Sequence, residues 1–371
     1  MNMLMCAPCL LGTEGLVSQE LKNMQAQNVR AENGRVFFEG DETILARANI
    51  WSRFSERILI VLDTFEAVTF EQLFQAVRVL PWSEFIGSRD TFPVKGFSIN
   101  SQLHSVPDCQ KIIKKAVVES LKEDYGIEWF EETGPVHQIQ FSIMKDEVCI
   151  MLDTTGAGLH KRGYRPVGND APIRETLAAA MCILSKLRHY HTLYDPFCGS
   201  GTVLVEGAML ANNIAPGINR NFSVDRWGFI SEAVWKNERQ RCRDLIKTDT
   251  DFVAFGSDID SKSVQLALQN AKNIGVEKFI RVNTADVRSF NPTTEKGTLV
   301  TNPPYGERML DVKQAEELYR IMGDKFVRRY GWSYGIISPD EDFEKCFGRK
   351  ADKRRKLYNG MIKCQYYMYF K

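Results

Sequence analysis

The chain has 371 residues, 44% of them hydrophobic and 26% charged, the balance of an ordinary globular protein with room for two or three compact units, which excludes a disordered or fibrous chain. A net charge of +1 gives no global pull on a polyanion, so any nucleic-acid contact must come from local basic surfaces. Nine cysteines, an odd number scattered through apolar or mixed segments, exclude the dense disulfide framework of a small secreted domain.

The opening MNMLMCAPCLLGTEG lacks a basic n-region and Glu14 interrupts its apolar run. Neither a secretory signal nor a membrane span is expected, and the expected location is cytoplasmic. Cys6 and Cys9 form a CxxC pair with no second pair or histidine partner at zinc spacing, so a buried strand and no metal are expected. Through about Asp63, apolar runs at Met3 to Leu11 and Arg35 to Glu39 alternate with helical stretches at Glu14 to Met24 and Glu42 to Ala48, a small α+β unit. In the next unit, Thr91 to Ile99 and Gln138 to Leu152 read as strands flanking a helix over Asp108 to Lys122. There Ile112, Ile113, Ala116, Val117 and Leu121 recur at helical spacing, while Lys111, Lys114, Lys115 and Lys122 remain for solvent or a ligand.

The glycine-rich stretch Thr154 to Asp170 reads as a linker whose His160, Lys161, Arg162 and Arg165 could meet phosphate. A second basic run, Lys350, Lys353, Arg354, Arg355 and Lys356, is a weaker candidate. Beyond the linker come a helix from Pro172 to Leu187, a strand ending at Asp195, a glycine turn and a helix from Val203 to Ala211. Strands at Phe252 to Asp258 and Thr298 to Asn302 follow an insertion, Asn212 to Thr250, that carries Phe222, Trp227, Phe229 and Trp235. This alternation predicts an α/β C-terminal half.

Three strand ends carry the chemistry. Asp195 is followed by Pro196, Phe197, Cys198, Gly199, Ser200, Gly201 and Thr202, a turn whose glycines let a ligand approach the backbone closely. A dinucleotide fingerprint would need a glycine where Leu204 stands and an acid about 20 residues on. S-adenosyl-L-methionine fits better, having no pyrophosphate and needing an acid for its amine. At the second strand end Asp258 could accept from both ribose hydroxyls and Ile259 could pack on adenine. At the third, Asp286, followed by Val287, could accept from the adenine amino group. Each acid alone is more often a helix cap, but three in order after successive strands form a pattern.

Thr301-Asn302-Pro303-Pro304-Tyr305-Gly306 decides the reaction class. The lone pair of an exocyclic amine is delocalised into its ring, so a site that methylates it must accept both N–H groups and hold the nitrogen about 3–3.5 Å from the methyl carbon. The Asn302 side-chain oxygen and the Pro303 carbonyl are suitable acceptors, Pro304 stiffens the turn, and Tyr305 can stack on the base.

These motifs resemble the THUMP-domain RNA guanine-N2 methyltransferases, which modify 23S ribosomal RNA or the acceptor stem of transfer RNA. The likeness covers the whole chain. It includes the Ser-Val-Pro-Asp-Cys-Gln-Lys-Ile-Ile-Lys-Lys-Ala run from Ser105, the joining segment Asp153 to Gly156 and His160 to Arg165, and Ala171 to Ala178. The resemblance implies a ferredoxin-like domain over 1–63, a THUMP RNA-binding domain over 64–155 and a class I methyltransferase over 156–371. The last would be Rossmann-like, with a mostly parallel seven-stranded sheet and helices on both faces. It further implies that the Asp195 turn holds the methionine portion, Asp258 the ribose, Asp286 the adenine and Asn302 to Tyr305 the target base. Arg174, Glu175 and Thr176 would line the cofactor's other side. The expected partner is structured RNA, preferably 23S ribosomal RNA, read by shape with a flipped base.

Other readings stay open. The same Asn-Pro-Pro-Tyr chemistry serves DNA adenine or a protein glutamine amide, and transfer RNA competes with ribosomal RNA. A non-catalytic RNA-binding assembly factor is the alternative of a different class. The intact set of Asp195, Gly199, Gly201, Asp258 and Asn302 argues against it, because a site relieved of chemistry need not retain all five.

Overall fold

The computed structural model describes residues 2–165, 173–305 and 312–370. The end of the expected linker (166–170), the expected helix start at Pro172 and Gly306 lie outside the described residues. No described helix is long and apolar enough to cross a membrane.

The first of two seven-stranded sheets uses β1 (Met3–Pro8), β2 (Gln27–Glu32), β3 (Arg35–Gly40), β4 (Leu59–Glu66), β5 (Val94–Ile99), β6 (Ile139–Met144) and β7 (Glu147–Asp153), in the order β2-β3-β1-β4-β7-β6-β5. Strand β4 pairs with β1 on one side and β7 on the other. The expected boundary between residues 63 and 64 therefore falls inside a strand, and the two N-terminal units share one continuous sheet. The expected strand from Met3 to Leu11 stops at Pro8, beyond which Cys9 makes only an isolated bridge to Ser55.

The helix expected over Asp108 to Lys122 runs Val106–Tyr125. Pro107 occupies its first turn, where no N–H is missed, and Gly126 closes it in the left-handed conformation at φ 64°. Ile113, Ala116, Val117 and Leu121 are buried as the spacing requires.

The insertion is structured. It contains the helix Glu232–Asp244, started by the Ser231 side chain accepting from the Val234 N–H. Phe222 stacks on Trp235 with ring centroids 5.7 Å apart. Both belong to the hydrophobic core that holds Ile44, Leu45 and Ala48 of the helix Glu42–Trp51. A bidentate ion pair, Arg47 Nη2 to Glu238 at 2.8 Å and Nε at 2.9 Å, ties the insertion to that helix. The insertion thus fastens the C-terminal half to the N-terminal half, which its aromatic content alone does not reveal.

The second sheet uses β8 (Thr192–Asp195), β9 (Ala254–Asp258), β10 (Ile280–Thr284), β11 (Gly297–Thr301), β12 (Trp332–Ser338), β13 (Lys353–Asn359) and β14 (Ile362–Phe370), in the order β10-β9-β8-β11-β12-β14-β13. The first five in that order run parallel, and β14 is antiparallel to both its neighbours. Order reverses between β8, which leads to β9, and β11, which leads to β12. In open parallel sheets the crevice beyond the carboxyl ends at such a reversal is where ligands bind. Asp195 and Asn302 stand at the two lips of that crevice.

Candidate active site

The turn after β8 is held by its neighbour strand. The Cys198 N–H donates to the Ser257 carbonyl and the Gly199 N–H to Asp258 Oδ2, both at 2.9 Å, while Asp258 Oδ1 accepts from the Asp260 N–H at 3.0 Å. Asp258 therefore anchors the glycine turn as well as facing the crevice, and a carboxylate keeps further lone pairs for a ligand. The two glycines differ in purpose. Gly201 has φ +79° and a Cβ there would lie 2.8 Å from the Ala267 Cβ, so it permits the close approach of the helices Thr202–Ala211 and Ser261–Ile274. Gly199 has φ +50° and a Cβ there would meet none of the described residues within 4 Å, so that side of the turn is open. Ser200 contributes its carbonyl to Asn270 at 2.9 Å.

Asp195 joins the two lips. Its Oδ1 accepts from the Thr301 hydroxyl at 2.6 Å and from the Phe197 N–H at 3.2 Å. Burial pushes its pKa up to about 7, with the Asp258 charge adding to the rise and the two hydrogen bonds opposing it. Thr301 opens the Asn302 motif, but the sequence assigns it no role of its own.

Asn302 follows β11, every residue of which is buried. Its Oδ1 is buried and has no hydrogen-bond partner among the described residues. Such an acceptor is costly unless a ligand supplies a donor. Pro303 is buried and Pro304 half-buried. Tyr305 departs from the expected stacking platform: it is buried, and its hydroxyl accepts from the Asn359 side chain at 2.8 Å.

Along the other edge, Ile259 is 74% exposed beside Asp258, an apolar surface left open. Asp286 caps the short turn Val287–Ser289, accepting from the Arg288 N–H at 2.7 Å and pairing with its guanidinium at 2.8 Å. Val287 is buried in the core with Leu299 and Tyr319, so its side chain is unavailable to a ligand and only its backbone could serve.

The joining segment corrects several expectations. Arg162 is 2% exposed; its guanidinium donates to Glu206 at 3.3 Å and to the carbonyls of Arg53 (2.6 Å) and Leu159 (2.8 Å), so it cannot meet phosphate. Arg165 pairs with Glu175 at 2.8 Å and donates to the Thr202 hydroxyl at 3.1 Å. His160, Arg174 and Thr176 all converge on Glu56, at 3.0, 3.2 and 2.7 Å. Burial would raise the Glu56 carboxyl, but the hydrogen bonds from His160 and Thr176 and the nearby Arg174 charge outweigh it and hold it below the ordinary range. Arg174 and Thr176 thus reach toward the N-terminal half through Glu56. Glu175 is buried, and its Oε2 has no partner among the described residues. Of the basic residues proposed for RNA, Lys161, Lys111 and Lys115 face solvent. Lys114 donates to Glu132 at 2.6 Å and to the Phe92 carbonyl at 3.1 Å.

The comparisons accord with this architecture. Residues 162–368 match the RMKL-like methyltransferase domain, 5–59 the RlmL ferredoxin-like domain and 67–153 the THUMP domain. The chain is 42% identical to "Putative RNA methyltransferase YpsC" of Bacillus subtilis over 97% of its own length and 94% of that protein's. It is 36% identical to "Ribosomal RNA large subunit methyltransferase K/L" of Shewanella amazonensis, covering 96% of this chain but 52% of that one, so it spans about half the length of such relatives. Among solved structures, "SMU.472, a putative methyltransferase complexed with SAH" superimposes with a TM-score of 0.93 at 39% identity, covering 100% of this chain and 98% of that one. The parallel sheet with its glycine turn, the match over more than half its residues and the two accessory domains ahead of it place this chain in the RMKL-like methyltransferase family.

Proposed function

We propose that the protein transfers a methyl group from S-adenosyl-L-methionine to the exocyclic N2 of a guanine in structured RNA, with 23S ribosomal RNA as the preferred substrate. The observation that carries this reading is the Asn302 Oδ1 just beyond β11, buried and without a hydrogen-bond partner among the described residues, at the strand end next to the one that leads into the Gly199 turn. The relatives named for RNA and ribosomal RNA methylation support the substrate class, as does the THUMP domain.

The residues fit the cofactor: an open glycine turn, an acid at each of three strand ends and an exposed apolar side chain at Ile259. When bound, S-adenosyl-L-methionine supplies an electrophilic methyl on a sulfonium. Asp195 to Thr202 would hold its methionine portion, Asp258 its ribose hydroxyls, and Asp286 with Ile259 its adenine. Asn302 Oδ1 and the Pro303 carbonyl would accept the two N–H groups of the target amine, fixing the nitrogen and drawing its lone pair out of conjugation with the ring. No strong base is required, because the amine sheds its proton after alkylation. Tyr305, locked by Asn359, would border the base by its ring edge.

The raised Asp195 pKa makes the binding pH-dependent. A carboxyl whose pKa folding raises is favoured when protonated, and that contribution to stability is lost as pH climbs through about 7. A ligand ammonium needs the ionised form. Cofactor affinity is therefore expected to weaken as pH falls through about 7, and Asp195→Asn is expected to flatten the profile; calorimetric titration between acid and neutral buffers measures it. An unchanged profile in Asp195→Asn would assign the titration elsewhere.

The substrate is tested on RNA from a deletion strain, digested to nucleosides and fragments and read by mass spectrometry. Loss of one N2-methylguanosine, mapped to a fragment of 23S ribosomal RNA, is expected. A loss confined to N6-methyladenosine, or none, overturns the guanine assignment.

A further inference from the structure

The last three rungs of the β13–β14 hairpin have no counterpart in the parallel sheet. Ser338, the final residue of β12, pairs with Gln365, whereas β13 and β14 continue to pair through Leu357↔Cys364, Tyr358↔Lys363 and Asn359↔Ile362. At roughly 3.3 Å per residue the hairpin rises about 10 Å past the end of β12, on the side where the strand ends form the crevice. It closes with a two-residue turn, Gly360 and Met361; Gly360 has φ +66°, as a glycine-first hairpin turn requires.

The projection is rigid and aimed. On one face Leu357 and Cys364 are buried in the catalytic core, and the backbone of Lys356 packs against Gly12 so closely that a Cβ there would lie 2.6 Å from its carbonyl. Asn359, 5% exposed, donates to the Tyr305 hydroxyl at 2.8 Å. Two residues further on, within about 7 Å of backbone, Met361 stands 95% exposed at the apex. Lys356 and Lys363 are exposed at its flanks. Among the described residues nothing covers this large apolar side chain at the tip of the hairpin.

Resting on the reading of the site as an RNA-base methyltransferase, we infer that Met361 is the wedge that enters the base stack when the target guanine is extruded, with Lys356 and Lys363 holding the flanking phosphates. An enzyme that acts on a flipped base must open the stack, and apolar side chains that slide between base steps serve this purpose in other nucleic-acid-binding proteins. The Asn359–Tyr305 hydrogen bond sets the distance between this wedge and the acceptors that receive the base. No bond is made or broken by Met361; it fills the gap the base leaves.

The test uses the full chain and an RNA helix containing the guanine located by the mapping above, once paired with cytosine and once opposite an abasic site. Met361→Ser is expected to lower kcat/KM about ten-fold on the paired guanine and less than about two-fold opposite the abasic site, where the stack is already broken. Met361→Leu is expected to restore the rate. With 2-aminopurine in place of the guanine and no cofactor, the wild-type chain is expected to raise its emission on binding and Met361→Ser to fail to. Equal defects on both RNAs, or an unchanged rise in emission, overturn the wedge. Absence of transfer by the wild-type chain to either RNA brings down the substrate reading and the wedge together.

Discussion

Alanine in place of Asn302 is expected to slow methyl transfer about a thousand-fold, as loss of a single preorganised polar contact does elsewhere, while cofactor affinity changes little. The reason is specific to this side chain. Its Oδ1 is buried and has no partner among the described residues, so in the proposed site its donor would be the substrate amine, and no hydrogen bond from a described residue to that oxygen is lost with it. Single-turnover transfer of labelled methyl to RNA from the deletion strain gives the rate, and calorimetry gives the affinity. Near-normal turnover would sink the assignment. A proportional fall in cofactor affinity would instead assign Asn302 to holding the cofactor.

The second large effect falls on stability. Arg162 and Glu206 are 2% and 0% exposed, and they join the segment after the N-terminal sheet to the helix that begins at the glycine turn. Arg162→Ala leaves a buried carboxylate whose one remaining side-chain donor among the described residues is the Tyr164 hydroxyl, 3.2 Å away. Removing one member of such a pair costs about 3–5 kcal/mol. A clear fall in the thermal midpoint is expected, with weakened cofactor binding because Thr202 and Glu206 lie on the same helix. Adding Glu206→Gln to Arg162→Ala is expected to recover part of the loss, since the uncompensated charge is then gone. A single variant as stable as the parent would show that the pair does not hold this junction.

The catalytic half was readable because its motifs are local. Asp195, Gly199, Asp258 and Asn302 each sit at the end of a short apolar run, and strand ends at a reversal in sheet order converge without further information. What escaped depends on partners distant in sequence. Nothing near Glu56 announces that His160, Arg174 and Thr176 will converge on it, and a basic run such as His160 to Arg165 looks the same whether its charges meet solvent or carboxylates. Burial decides between them, and burial is a tertiary property. In the sequence the hairpin from Lys353 to Phe370 shows only as a run of charge, because its alternation is masked by tyrosines that serve either face of a strand.

Strand β4 gives the growing chain a problem of timing. Its first rungs find β1 while both are freshly made, but Glu66 must wait for Glu147. Throughout synthesis of the intervening residues one flank of β4 has bare amides and carbonyls open to any passing strand.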